Sequence, residues 1–183
     1  RNPRTLSLDL TYVLSRGERI FVERIDIEGN TTTLDRVIRR QFTTVEGDPF
    51  NPREIRNAAE RIRALGYFAD AQVNSRQGSS AEQVIVDVNV EEQPTGSLSF
   101  GASYGVNSGF GLNASLNETN FLGRGQTLGL TISTASGDRE GLINFVEPYF
   151  LGRDLKFGFT ARYNETSNLN SDYDTRTISV QPS

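Results

Sequence analysis

The sequence has no cysteine, histidine, methionine or tryptophan, and its single lysine is Lys156 among 19 basic residues. Those gaps exclude a disulfide, a thiolate nucleophile, an imidazole general base and a metal centre of the His/Cys type. No cofactor or metal is expected. The formal net charge of −4 argues against a broad nucleic-acid footprint, so no nucleic-acid partner is expected. No run approaches 18 apolar residues, which excludes a transmembrane helix. The opening RNPRTLSLDL lacks the pattern of a signal peptide. The chain starts inside a strand-like run and stops at Gln181-Pro182-Ser183, so it is expected to be part of something longer. Its 183 residues allow one domain or two small ones.

What is present divides near Pro94-Thr95-Gly96. Most basic residues precede that point, on segments with both helix and strand periods. Residues 5–14 alternate, with Leu6, Leu8, Leu10 and Tyr12 on one parity, and read as a strand. Residues 20–28 read as another, with Phe21, Ile25 and Ile27 on one face. Thr33 is placed to cap a short helix carrying Leu34, Val37, Ile38 and Phe42. A turn follows at Glu46-Gly47-Asp48-Pro49. Asn51, Pro52 and Glu54 have the spacing of an N-cap, a first helical residue and a capping-box acid. Ile55, Ala58, Ala59, Ile62 and Leu65 then form one apolar stripe, stopped by Gly66. Core packing is the ordinary role of such a stripe. Tyr67–Ser75 and Val84–Val90 read as a hairpin. The unit is β-α-α-β-β.

After residue 96 only strand period remains. Leu98, Phe100, Ala102 and Tyr104 alternate with Ser97, Ser99, Gly101, Ser103 and Gly105. Phe110–Leu116, Leu128–Ile132, Ile143–Phe145 and Leu155–Tyr163 repeat the pattern, and Tyr173–Val180 is a sixth run. The strands are about ten residues long, the length a tilted strand needs to cross a bilayer, and the polar face is small and wet. Phe121-Leu122-Gly123-Arg124 recurs 29 residues later as Phe150-Leu151-Gly152-Arg153, which puts one turn motif twice on the same side of a sheet. Opposite turns are expected at 106–109, 135–140 and 164–172. Six strands cannot close a barrel of at least eight, so other polypeptide must complete the sheet.

Several stretches resemble the BamA family, the outer-membrane protein assembly factors of Gram-negative bacteria. They are IDIEGNTTTLDRVIRRQF (25–42), EGDPF (46–50), AAERIRALGYFADAQV (58–73), VNVEEQPTGSLSFGASYG (88–105), NFLGRG (120–125) and EPYFLGRD (147–154). The resemblance implies an α+β POTRA domain at 18–93, the end of a preceding POTRA at 1–17, and the first six or so antiparallel strands of a transmembrane β-barrel at 94–183. It implies an outer-membrane protein with its POTRA in the periplasm, and no catalytic residue. It also implies that Ser97, Leu98, Ser99, Phe100, Gly101, Ala102, Ser103, Tyr104 and Gly105 form a labile seam to which a client strand adds by β-augmentation. The alternative role of Gly101 and Gly105 is to permit curvature. Glu46 matches an acidic position that contacts the lipoprotein BamD of the Bam complex; the alternative is an exposed loop acid. The other implied partners are unfolded outer-membrane clients and membrane lipid.

Arg36, Arg39 and Arg40 are candidates for anionic head groups, against a solvated helix face. Asn168, Asn170, Asp172 and Asp174 alternate as in a calcium loop but lack its glycine and final acid. Gly123, Gly125 and Gly129 do not make a dinucleotide fingerprint, because no strand-to-helix context surrounds them. Rival functions are a TamA-like or two-partner secretion factor, a passive porin with a periplasmic domain, and a soluble glycan-binding or hydrolytic β domain.

Overall fold

The computed structural model describes residues 11–12, 19–106, 109–167 and 173–183. The strand expected at 5–14 lies outside them apart from 11 and 12, as do Asn168, Asn170 and Asp172. The first unit runs β1 (Phe21–Glu28), α1 (Asp35–Arg39), α2 (Pro52–Ala64), β2 (Phe68–Gln77) and β3 (Gln83–Glu92). Its sheet order is β1-β3-β2, with β3 parallel to β1 and antiparallel to β2. Val37 and Ile38 of α1 and Ile55, Ala58 and Ile62 of α2 bury their stripes against Val22, Ile25, Ala71, Val86, Val88 and Val90 of the sheet. Ala58 and Ala71 are both fully buried, and side chains that small let helix and sheet approach closely. On the opposite face Arg76 bridges Asp26 and Asp87 at 3.1 and 2.8 Å.

Three local expectations are corrected. The buried face of β1 carries Val22 and Ile25, not Phe21. The ladder slips between Val22 and Arg24, leaving Glu23 as a bulge residue that inverts the parity before it. Thr33 does not cap α1: Leu34 is the N-cap and no side chain caps it. Glu54 closes no capping box but accepts a bond from the Thr43 hydroxyl at 2.8 Å, while Asn51 caps α2 through the Arg53 amide at 3.0 Å. Gly66 ends α2 with φ +73°, in the left-handed region that a side chain disfavours.

The second unit is a six-stranded antiparallel meander. Its strands are β4 (Gly96–Gly105), β5 (Gly109–Phe121), β6 (Gln126–Ala135), β7 (Asp138–Glu147), β8 (Phe157–Ser167) and β9 (Asp174–Pro182), in sequence order. The turn expected at 164–172 starts later, because Asn164–Ser167 still pair with β9. Register aligns the faces. Leu98, Leu116, Leu130, Ile143, Ala161 and Val180 form one continuous row across all six strands. The adjoining row of the opposite face is Ser99, Ser115, Thr131, Leu142, Arg162 and Ser179. Every buried hydrophobic side chain among the described residues lies between Val22 and Val90; Phe100 is 77% exposed and Ile132 66%. An apolar sheet face left bare on that scale needs an apolar environment.

Candidate functional site

The apolar face of the second sheet has two polar borders. At one end the row after Leu112 and Thr134 carries Arg139, Glu165 and Arg176, with Arg176 and Glu165 paired at 3.3 Å. At the other end, beyond the Leu128, Phe145 and Phe159 row, Gln126 donates to Glu147 at 2.6 Å. The borders, at Gln126 and Thr134, are eight residue steps apart along β6. That is about 27 Å along the strand, or roughly 20 Å of height at a 40° tilt. The band matches the apolar belt of an outer-membrane barrel in scale.

β4 is an edge strand. It is bonded to β5 on one side, and no described strand pairs with its other side; β9 is the opposite edge. Ser97–Tyr104 are exposed apart from Gly101, which is half-buried opposite Asn113. The residues expected at the seam, Ser97 to Gly105, therefore all lie on one open edge. Main-chain donors and acceptors there could bond an added strand whatever its side chains.

The edge is tied to the first unit at a joint. The connection is only Gln93-Pro94-Thr95, and it is held from both sides. Gln93 donates its amide to Tyr67 O (3.0 Å), and Thr119 donates to Thr95 O (3.2 Å). Glu92 accepts from the Thr31 hydroxyl (2.7 Å) and the amides of Thr32 and Thr33 (2.9 and 2.6 Å). Partial burial pushes the Glu92 carboxyl up, but these donors outweigh it and hold its pKa at about 2. The loop fixed by Glu92 receives the β5–β6 turn. Leu34 donates its amide to Gly123 O at 2.9 Å. Buried Asn120 donates to the Thr33 hydroxyl and accepts from the Gly125 amide, both at 2.8 Å.

The two FLGR motifs are conformational copies. Leu122 and Leu151 both have φ 56°, and Gly123 and Gly152 have φ 68° and 73°. Each closes with the same pair of turn bonds, Gly123 to Asn120 O with Arg124 to Phe121 O, and Gly152 to Tyr149 O with Arg153 to Phe150 O. Both lie at the sheet end that carries the first unit, as the repeat spacing predicts. They differ in what surrounds them. A Cβ on Gly123 would fall 2.0 Å from Thr32 O, whereas one on Gly152 would meet nothing within 4 Å. The residue before each motif sorts the two: Asn120 docks on Thr33, while the Tyr149 ring lies 3.9 Å beneath the Arg40 guanidinium.

The three candidate arginines of α1 separate. Arg39 pairs with Glu46 at 3.0 Å and donates to Ile25 O at 3.1 Å. Arg40 stacks on Tyr149, and Arg36 lines the same cavity as Arg40. Glu46 is half exposed in its loop and also accepts from the Ile25 amide at 3.1 Å. Asp174 begins β9, and Gly123 and Gly125 sit in a strand-to-strand turn. Glu92, Asn120 and Tyr149 were not singled out in the sequence, although they stand inside the VNVEEQPTGSLSFGASYG, NFLGRG and EPYFLGRD stretches, and Thr33 was read only as a helix cap.

Residues 20–93 match the POTRA family, described as a surface antigen variable number repeat, and residues 120–183 match the Omp85 superfamily domain. Over 159 residues the chain is 28% identical to the outer membrane protein assembly factor BamA of Neisseria meningitidis serogroup B, covering 86% of this chain and 20% of that protein. It is 31% identical to BamA of Nitratidesulfovibrio vulgaris over 152 residues, covering 82% of this chain and 19% of that one. The chain thus spans about a fifth of the length of these curated relatives. The crystal structure of BamA from Haemophilus ducreyi lacking POTRA domains 1–3 superposes with a TM-score of 0.74 at 29% identity, over 91% of this chain and 32% of that one. CdiB from Escherichia coli superposes with a TM-score of 0.54 at 16% identity over 89% of this chain and 32% of that one, a likeness of fold alone.

Proposed function

The chain belongs to the family of BamA outer-membrane assembly factors, as a POTRA domain continued by the opening strands of an Omp85 barrel, and on that premise we propose that it inserts β-barrel proteins into the outer membrane without enzymatic chemistry. Its POTRA domain lies in the periplasm and its strands in the outer membrane. The division proposed is 1–17 for the end of a preceding POTRA, 18–93 for the membrane-proximal one, and 94–183 for barrel strands. Strand β4 then runs outward, both FLGR turns (121–124 and 150–153) are periplasmic, and the turn at Ser136-Gly137 faces outside. Leu112 and Leu130 face hydrocarbon; Asn113 and Thr131 face the lumen.

The observation that carries the reading is the place of β4, the first strand of the sheet, joined to the POTRA domain through only Gln93-Pro94-Thr95. Clients add there by β-augmentation, so backbone amides rather than side chains perform the function. Unfolded outer-membrane proteins are the substrates and the Bam lipoproteins the partners. Glu46 is proposed to meet BamD. It also holds Arg39 and the Ile25 amide, so Glu46→Gln, which keeps an acceptor oxygen, is a better probe of that contact than Glu46→Lys. Pull-down of BamD unchanged by Glu46→Gln removes Glu46 from the contact.

The test of the strand mechanism is cysteine crosslinking, for which residues 1–183 hold no competing thiol. A cysteine at Ser99 should trap a client strand during assembly. Ala102→Pro and Ser103→Pro remove neighbouring amides that point to opposite edges, and one of the two should abolish assembly. Unchanged assembly and crosslinking in both proline variants would refute templating at β4. CdiB shares the fold at an identity that carries no function, so a secretion role is supported by no comparable feature.

A further inference from the structure

The sheet face that carries Leu128 and Phe145 ends in an unusual row. Below the Gln126–Glu147 pair lies a cavity of about 390 Å³ between α1 and the two FLGR turns. Arg36 and Arg40 of α1, Arg124 of the first motif, and Tyr149, Gly152 and Asp154 around the second line it. Three guanidiniums therefore converge from two domains.

They converge without partners. Arg40 Nε is buried with no hydrogen-bond acceptor, and the Arg40 side chain forms no hydrogen bond or ion pair among the described residues. Its one specific contact is the Tyr149 ring. Arg36 and Arg124 are exposed and likewise unpaired. Glu147 makes no direct ion pair with them; one oxygen takes the Gln126 amide group and the other the Tyr149 N–H at 2.9 Å. Burial depresses the Arg40 pKa, with Tyr149, Tyr67 and Glu147 opposing that loss. A half-buried guanidinium with no acceptor is costly, and an oxyanion supplies what is missing. The lining holds three positive charges and two negative ones (Glu147 and Asp154), so the excess of one matches the single charge of a phosphodiester.

Position identifies the source of that phosphate. Gln126 and Glu147 continue the parity of Leu128 and Phe145, so the cavity opens on the lipid-facing side, just below the apolar band. Head-group phosphates lie at that level, where an aromatic ring and arginines are the usual border residues. We propose that the cavity binds the phosphate of an anionic phospholipid of the periplasmic leaflet, held by Arg36, Arg40 and Arg124. One lipid would then be gripped by the POTRA domain and the barrel together and would brace their relative angle. This rests on the reading that Leu128 and Phe145 face hydrocarbon.

The complete barrel protein would be placed in nanodiscs of phosphatidylglycerol or of phosphatidylcholine, and retained lipid counted by native mass spectrometry after mild detergent release. Wild type should keep one phosphatidylglycerol per molecule. Arg36→Gln with Arg124→Gln, both exposed and unbonded, should weaken retention about tenfold or more. Arg39→Gln, whose guanidinium is spoken for by Glu46, should retain it. Excess inorganic phosphate should not displace the lipid; equal binding of phosphate alone would overturn the lipid in favour of a free anion. Unchanged retention in the double variant, with heat-modifiable migration showing an inserted barrel, overturns the site while sparing the barrel. Failure of wild type to insert overturns the barrel reading beneath it.

Discussion

The two halves of this chain are both built on strands, yet they solve the problem of apolar surface in opposite ways. The POTRA domain covers one face of three strands with two helices and buries Ile38 and Ile62 completely. The barrel sheet buries no large apolar side chain among its described residues and presents a row from Leu98 to Val180 outward. One half carries its own core. The other has its apolar environment supplied by the membrane. The difference explains why the first half needs both a 3.6 and a 2.0 period while the second uses only the latter.

The comparison breaks most sharply at the core. Ile62→Ala should destabilise the POTRA domain by about 2–5 kcal/mol, whereas Ile132→Ala on the barrel should cost far less, because no protein cavity is created. Urea unfolding followed separately in each half would measure this. Similar losses would mean that the barrel face packs against protein.

Next in size are charges on the sheet. Leu130→Arg near mid-membrane should cost roughly 2–4 kcal/mol, and Thr131→Arg much less, if it points into the lumen as proposed. Reversible folding into lipid vesicles reads both. Equal costs would contradict a lipid face and suit a soluble sandwich.

The two FLGR turns sharpen the comparison where the halves meet. Gly152→Ala should cost about 1 kcal/mol, for a positive φ in open space. Gly123→Ala adds a collision with Thr32 O, so it should cost about 2 kcal/mol or more and undock the POTRA domain. Thermal melts joined to a distance measurement between a label on α2 and one on β8 would separate strain from undocking. Equal effects would show that the turn is not held by the loop.

The smallest effect is in acid. The Glu92 pKa is about 2 in the fold against 4.5 unperturbed. Its depressed value means that its contribution is present above about pH 4.5 and is lost as pH falls toward 2. The carboxyl is only partly buried, so screening keeps the effect modest. Limited proteolysis at Gln93–Thr95 should accelerate over that window, and Glu92→Gln should flatten the response. A flat wild-type profile would count against Glu92 as the fastener of the joint.

Much of this architecture was legible before any coordinates. Alternation fixed which side of each barrel strand is apolar, and the 29-residue echo put both turns at one end. The Asn51-Pro52 start and the Gly66 stop of α2 followed from capping chemistry. The errors share a cause. Thr33 and Glu54 have the right spacing for caps, but a hydroxyl or carboxylate bonds whichever donor lies nearest in space. For Thr33 that partner is Asn120, 87 residues away; for Glu54 it is Thr43. Phe21 was misplaced because a bulge at Glu23 leaves no periodic mark.

By itself the sequence determined the local periods, the turn chemistry and the lack of thiolate or imidazole side chains, since these depend on near neighbours and on residue type. Only the tertiary structure decided which of Arg36, Arg39 and Arg40 is paired and which converge with Arg124, how Glu92 fastens the joint, and why one FLGR turn is docked and its twin is free. Those outcomes depend on the approach of groups far apart in the chain, and the strength of a hydrogen bond or an ion pair is set by distance and burial, which no linear spacing encodes.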